Sequence, residues 1–128
     1  MRILSVDDSR TVRQTVKSIV EVIGIDFLEA EDGKEALKVL EETDGKIDLI
    51  LLDWEMPNVN GYEFLQAIKK NERFNNIPVI MLTTVSQKEK MIDAIRAGAK
   101  QYITKPFSSE TLLTKILQAL GIDNLEGL

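Results

Sequence analysis

The chain has 128 residues, of which 44% are hydrophobic, with 16 Lys and Arg against 21 Asp and Glu for a net charge of −5. That is the size and composition of one folded domain, with no apolar run near the ~18 residues of a membrane span and the wrong charge for a nucleic-acid binder. Cys and His are both absent, which excludes disulfides, thiol chemistry, Cys or His metal sites, histidine general bases and a phosphohistidine within this chain.

Two periodicities alternate along the sequence. Residues 3–6 are a short apolar run ending in Asp7 and Asp8. Ser9 is placed to cap a helix whose Val12, Val16, Ile19, Val20 and Ile23 recur at helical spacing until Gly24. Residues 25–30 read as a strand, and residues 33–43 as a helix with Ala36, Leu37 and Leu40 on one face. Residues 48–53 hold four apolar residues between two acids, and Pro57 and Gly61 bracket the following loop. A helix over 62–71 turns Phe64, Leu65 and Ile68 inward. Pro78 opens the strand 79–82, which ends in Thr83 and Thr84. Residues 88–97 are helical up to Gly98, and 101–104 form a fifth strand ended by Lys105 and Pro106. Ser109 or Ser108 caps a last helix with Leu112, Leu113, Ile116, Leu117 and Leu120 on one side. Residues 122–128 read as a short, frayed tail after a domain over 1–121.

Strict alternation of strands and helices implies parallel strands with right-handed crossovers, and a sheet covered on both faces. The fold class is α/β, a (βα)5 three-layer sandwich. Runs 49–52 and 79–82 are apolar on both faces and suit central strands, whereas 27–30 and 101–104 carry polar residues and suit edges. The order 2-1-3-4-5 satisfies these preferences. The N-terminus lacks the pattern of a signal peptide, so a cytoplasmic location is expected.

In such sheets ligands bind beyond the carboxyl ends of the strands. The residues there are Asp7 and Asp8, Asp53, Thr83 and Thr84, and Lys105. Three gathered carboxylates repel one another unless a cation neutralises them. An all-oxygen site without His or Cys favours Mg²⁺, or Mn²⁺, over Zn²⁺ or Cu²⁺. Lys105 and Thr83 supply what an anion beside that cation would want, a positive charge and a hydroxyl donor. Together these groups are equipment for phosphoryl transfer onto an aspartate.

The chain resembles the CheY-like receiver domains of two-component response regulators, whose fold is flavodoxin-like. The resemblance rests on Asp7-Asp8, on Asp53 followed by Met56-Pro57 and Gly61, on Thr83, on Ala97-Gly98-Ala99, on Tyr102 and on Lys105-Pro106. The segment Asp53-Trp54-Glu55-Met56-Pro57 looks most like the stand-alone chemotaxis members. The resemblance implies that Asp53 accepts a phosphoryl group from the phosphohistidine of a sensor histidine kinase. It implies Mg²⁺ held by Asp8, Asp53 and the backbone carbonyl of Glu55, with Asp7 acting largely through water. Lys105 would bind a phosphoryl oxygen, with a cis bond to Pro106. Thr83 and Tyr102 would be the switch pair. An output protein, such as a flagellar motor switch, would bind the face of the fourth helix, fifth strand and fifth helix. A phosphatase partner fits the same scheme, as does a monomer that binds neither nucleic acid nor membrane. A phosphorelay intermediate is the alternative role. No effector segment follows Leu120 in this sequence, which favours signalling by protein contact. Such a chain is not an enzyme in the turnover sense.

Three positions vary within the pattern. Glu55 could add a carboxylate near the site, Thr84 could narrow access to Asp53, and Val85 cannot position a water. Slow hydrolysis of an acyl phosphate is expected from these. Simpler readings stand beside the sharper ones. Asp pairs after a strand often only face a helix dipole. Tyr102 could be an edge-strand aromatic and Trp54 packing alone. Met56, Met81 and Met91 read as core fillers, and Lys69-Lys70 and Lys88-Glu89-Lys90 as solvated helix faces. Two other functions share the fold. An Asp-nucleophile phosphatase would want a further carboxylate two residues after Asp7, and a flavin binder would want a Ser, Thr or Gly-rich loop after the first strand; neither is present.

Overall fold

The computed structural model describes residues 1–84 and 88–122. Five strands and five helices alternate: β1 Arg2–Val6, α1 Arg10–Val22, β2 Asp26–Ala30, α2 Gly33–Glu42, β3 Leu49–Asp53, α3 Gly61–Lys69, β4 Val79–Thr84, α4 Lys88–Arg96, β5 Gln101–Lys105 and α5 Ser109–Leu120. All strand pairs are parallel, and the order is β2-β1-β3-β4-β5. The expected order and edges are borne out: every residue of β3 is buried, whereas β2 and β5 are only partly covered.

Side-chain alternation sorts the core into two layers. Leu4, Val6, Ile50, Leu52, Val79 and Met81 face one side, where Ala36, Leu40, Phe64, Leu65, Ile68 and Ala94 of α2, α3 and α4 cover them. Ile3, Leu49, Leu51, Ile80, Leu82 and Ile103 face the other, against Val16 and Val20 of α1 and Leu112, Ile116 and Ala119 of α5. Truncating one of these fully buried leucines to Ala costs about 2–5 kcal/mol, so the rigid sheet is the scaffold that fixes the strand tips.

The helix starts follow their capping residues. Ser9 Oγ accepts the Val12 N–H at 3.3 Å, Asp32 Oδ1 the Glu35 N–H at 2.8 Å and Asn60 Oδ1 the Glu63 N–H at 2.9 Å. Of the two serines offered for α5, Ser108 is the cap and accepts the Thr111 N–H at 3.0 Å. Each cap satisfies one of the donors that a helix N-terminus leaves unpaired. Gly24, at φ 79°, turns the chain out of α1 in the left-handed region that glycine tolerates.

Three sequence expectations change. Leu37 is 42% exposed, because α2 buries positions 33, 36 and 40 and Leu37 falls on the flank of that stripe. Met91 is 38% exposed, because α4 packs on the sheet through the small Ala94. Lys69 is not a solvated lysine: Nζ donates to the carbonyls of Asn75 at 3.1 Å and Ile77 at 2.7 Å, and burial lowers its pKa below the ordinary 10.5. Val85, the Lys88 side chain and residues 123–128 lie outside what the structure describes. Among the described residues, no helix is long and apolar enough to cross a membrane.

Candidate functional site: an acidic pocket at the strand tips

The chain leaves β1 through Asp7, whose N–H donates to the Ala30 carbonyl at 3.1 Å and continues the sheet bonding by one residue. The Asp7 side chain is fully buried. Its Oδ1 accepts the Ser9 N–H at 2.9 Å, and its carbonyl accepts Arg13 Nη1 at 2.6 Å. Arg13 also pairs with Glu29 through Nε at 2.7 Å, so one guanidinium ties α1 to the ends of β1 and β2. Asp8 is exposed on the rim.

Asp53 ends the most buried strand and is 3% exposed. Its Oδ1 accepts the Glu55 N–H at 3.3 Å. The loop beyond it doubles back tightly, with the Gly61 N–H donating to the Trp54 carbonyl at 2.9 Å. A Cβ at Gly61 would sit 2.0 Å from the Asp53 carbonyl oxygen, so only glycine permits this approach of α3 to the tip of β3.

Lys105 comes from the edge strand and reaches across β4 to both inner acids. Its Nζ lies 2.8 Å from Asp7 Oδ2 and 3.1 Å from Asp53 Oδ1. The Lys105–Pro106 peptide bond is cis, as the resemblance implied. Carboxylate oxygens of Asp7, Asp8 and Asp53 all lie within 4.8 Å of one another. Among the described residues this is the one group of three acidic side chains close enough to share a cation.

The electrostatics record the crowding. The Asp53 carboxyl is raised from 3.8 to about 7, first by burial and then by the Asp7 charge, while Lys105 and the Glu55 N–H pull it back. Burial works against the Lys105 ammonium, but the hydrogen bonds and charges of Asp7 and Asp53 together outweigh it and raise its pKa. One ammonium thus contacts two of three clustered carboxylates, a donor set of hard oxygens that fits a small divalent cation.

Thr83 is 2% exposed at the end of β4, and among the described residues its hydroxyl makes one bond, a long one of 3.5 Å to the Thr84 carbonyl. Its hydroxyl is therefore barely committed. Tyr102 is partly buried against the α2, α3 and α4 layer, and its hydroxyl is buried with no hydrogen-bond partner among the described residues. The register sets Thr83 beside Thr104 and Met81 beside Tyr102. Thr84 is exposed, opposite Lys105. The Glu55 carboxylate is not among the oxygens gathered within 4.8 Å in the acidic pocket and pairs instead with Lys90 at 3.1 Å. Trp54 is buried and stacked on Tyr62, with ring centroids 5.2 Å apart and planes 7° from parallel.

The pocket therefore brings together Asp7, Asp8, Asp53 and Lys105 as expected. Sequence reasoning missed Arg13 and Lys90. Arg13 stands four residues after the Ser9 cap, a spacing that could have placed it over the end of β1. Lys90 lies 35 residues from Glu55, and no local pattern announces that pair.

A family model for the response regulator receiver domain matches residues 3–117. The chain belongs to the response regulator receiver family. This receiver is 39% identical over 125 residues to the chemotaxis protein CheY1 of Helicobacter pylori, covering 97% of the chain and 100% of that protein. It is 37% identical over 128 residues to the chemotaxis protein CheY homolog of Campylobacter jejuni, covering 99% and 98%. Among solved structures, the chemotaxis response regulator CheY4 of Vibrio cholerae superposes with a TM-score of 0.84 at 34% identity, over 93% of this receiver and 98% of that chain. The flavodoxin-like fold and membership of the response regulator receiver family are thereby established.

Proposed function

We propose that Asp53 is the phosphoacceptor and that this receiver couples its phosphorylation to protein binding. The observation that carries the reading is Lys105 Nζ bridging Asp7 and Asp53, which sets a cation and two carboxylates around one small volume. In the reaction, an Asp53 oxygen attacks the phosphorus of a kinase phosphohistidine, an O–P bond forms and the P–N bond breaks. The histidine leaves with the electron pair. The product is an acyl phosphate of charge about −1.5 to −2.

Asp7, Asp8, Asp53 and the Glu55 carbonyl would hold Mg²⁺, or Mn²⁺. When bound, the cation neutralises carboxylate and phosphoryl charge together. Lys105 is the side chain placed to hold a phosphoryl oxygen, and in the present arrangement it stands in for that charge balance on the two buried acids. Thr83 has a hydroxyl held only by a long bond to the Thr84 carbonyl among the described residues, and it would donate to the new group. Tyr102 has a buried hydroxyl without a partner among the described residues, a costly state that a shift of Thr83 would alter. These two residues are the switch pair. Their motion reaches α4, where Met91, Ile92 and Ile95 are 38%, 49% and 46% exposed. That apolar row beside β5 is the surface offered to an output protein, the flagellar motor switch being the partner a chemotaxis role would call for. A sensor histidine kinase, a phosphatase and a cytoplasmic monomer complete the reading.

Trp54 emission tests it. Addition of Mg²⁺ and beryllofluoride, an acyl-phosphate mimic, changes the emission of the parent protein and leaves Asp53→Asn unchanged. Equal responses from both proteins remove Asp53 from the role.

A further inference from the structure

Lys90 lies in the first half of α4 and makes two contacts with the segment after Asp53. Its Nζ donates to Glu55 Oε1 at 3.1 Å and lies 5.3 Å from the centroid of the Trp54 ring. The partners differ in freedom. The Lys90 side chain is 29% exposed, and Trp54 beneath it is held by its stack on Tyr62. The Glu55 side chain is 67% exposed. The cation is the anchored member, and the carboxylate is the member able to swing.

Glu55 is also tethered beside the acids, since its own N–H donates to Asp53 Oδ1. Its carboxylate, once free, is the next one available to a cation held by Asp7, Asp8 and Asp53. We propose that Lys90 is a positioning residue that keeps the Glu55 carboxylate out of the acidic pocket, so that a divalent cation meets three carboxylates there and not four. This rests on the reading of Asp7, Asp8 and Asp53 as a divalent cation site. Carboxylate count tunes the affinity of hard-cation sites. An exposed pair of this kind holds by a factor of about two to five. It is strong enough to bias Glu55 and weak enough to be reversible. Through the same pair, the position of α4 sets how strongly the pocket holds its cation.

The test is a titration with Mg²⁺ alone, followed by calorimetry because Trp54 emission itself senses Lys90. Lys90→Met binds Mg²⁺ about two- to fivefold more tightly than the parent. Loss of any nearby positive charge also favours a cation through space, and Lys90→Met in a Glu55→Gln background measures that part. Most of the gain disappears in that background, and Lys90→Arg restores the parent affinity. An equal gain in both backgrounds, or none in either, overturns the role of Lys90. A parent protein that binds no Mg²⁺ overturns the cation site itself, which separates the two failures. Lys90 sits on the surface of α4, and matching thermal melts of the variants verify that the fold is kept.

Discussion

Lys105 and Asp53 are 52 residues apart in the chain and 3.1 Å apart in the fold. The contact closes a circuit from the central strand to the edge strand, and Asp7 joins it at 2.8 Å from the same ammonium. Removing that ammonium leaves two buried carboxylates with no counter-charge between them. Lys105→Met, similar in length and uncharged, is expected to push the Asp53 pKa further above about 7, because Lys105 is what now pulls it down. Carbon-detected NMR titration of the Asp carboxyl signals reads this directly. An unchanged or lowered value would show that the bridge does not govern the site.

Asp53 also makes stability depend on pH. Its carboxyl stands at about 7 in the folded protein against 3.8 as the ordinary value, first through burial. Between those values the native state holds a proton that the unfolded chain releases. Stability from this group is therefore full below about pH 4 and is lost as pH rises through about 7. Asp53→Asn abolishes the titration. In metal-free buffer it should melt above the parent at about pH 8, with the difference shrinking as the pH falls toward 4. A gain of the same size at both ends would mean that Asp53 ionisation is not the cause.

Much of this was legible beforehand, for a physical reason. Apolar runs report burial, and burial separates central from edge strands in a doubly covered sheet, so Leu49–Asp53 reads as one of the central strands from composition. Strand tips then carry Asp7, Asp53 and Lys105 to one rim whatever the loops do. What stayed hidden depends on long side chains that choose among several partners. Lys69 looked like any helix-surface lysine, yet it folds back onto the Asn75 and Ile77 carbonyls. Lys90 chose Glu55 and Trp54, a choice that exists only once α4 lies beside the β3–α3 loop. Leu37 escapes the pattern because helical periodicity gives a stripe and not its width, and Met91 because residue type alone does not say which face of α4 it occupies.

A bound cation stabilises the native state by mass action. Mg²⁺ at a hundredfold excess over its Kd contributes about 2.7 kcal/mol, enough to raise the melting temperature by about 10 °C for a domain of this size. The rise is expected to be larger above pH 7, where Asp53 is ionised, than near pH 5. Asp8→Asn should remove most of it, since Asp8 is the exposed member of the cluster and adds charge without supporting the core. Differential scanning calorimetry with and without Mg²⁺ decides the point. A rise that survives Asp8→Asn undiminished places the cation elsewhere.

Gly61 is the mechanical counterpart of these charges. Its missing side chain lets α3 start directly under the Asp53 carbonyl, where a methyl group would lie 2.0 Å from that oxygen and 3.0 Å from Trp54 Cα. Backbone cannot yield at such distances as a flexible side chain would. Gly61→Ala must displace either the start of α3 or the tip of β3, at a cost of about 1–3 kcal/mol typical of overpacking. The two displacements have different signatures. If β3 moves, Asp53 shifts relative to Lys105, and the variant loses both stability and its Trp54 response to Mg²⁺ with beryllofluoride. If α3 moves alone, the Trp54–Tyr62 stack opens, and resting emission changes while the response survives. The second outcome is expected, because β3 is wholly buried and hydrogen-bonded on both sides whereas α3 starts from a partly exposed loop. Retention of the full melting temperature would show that the close approach at Gly61 costs nothing to lose.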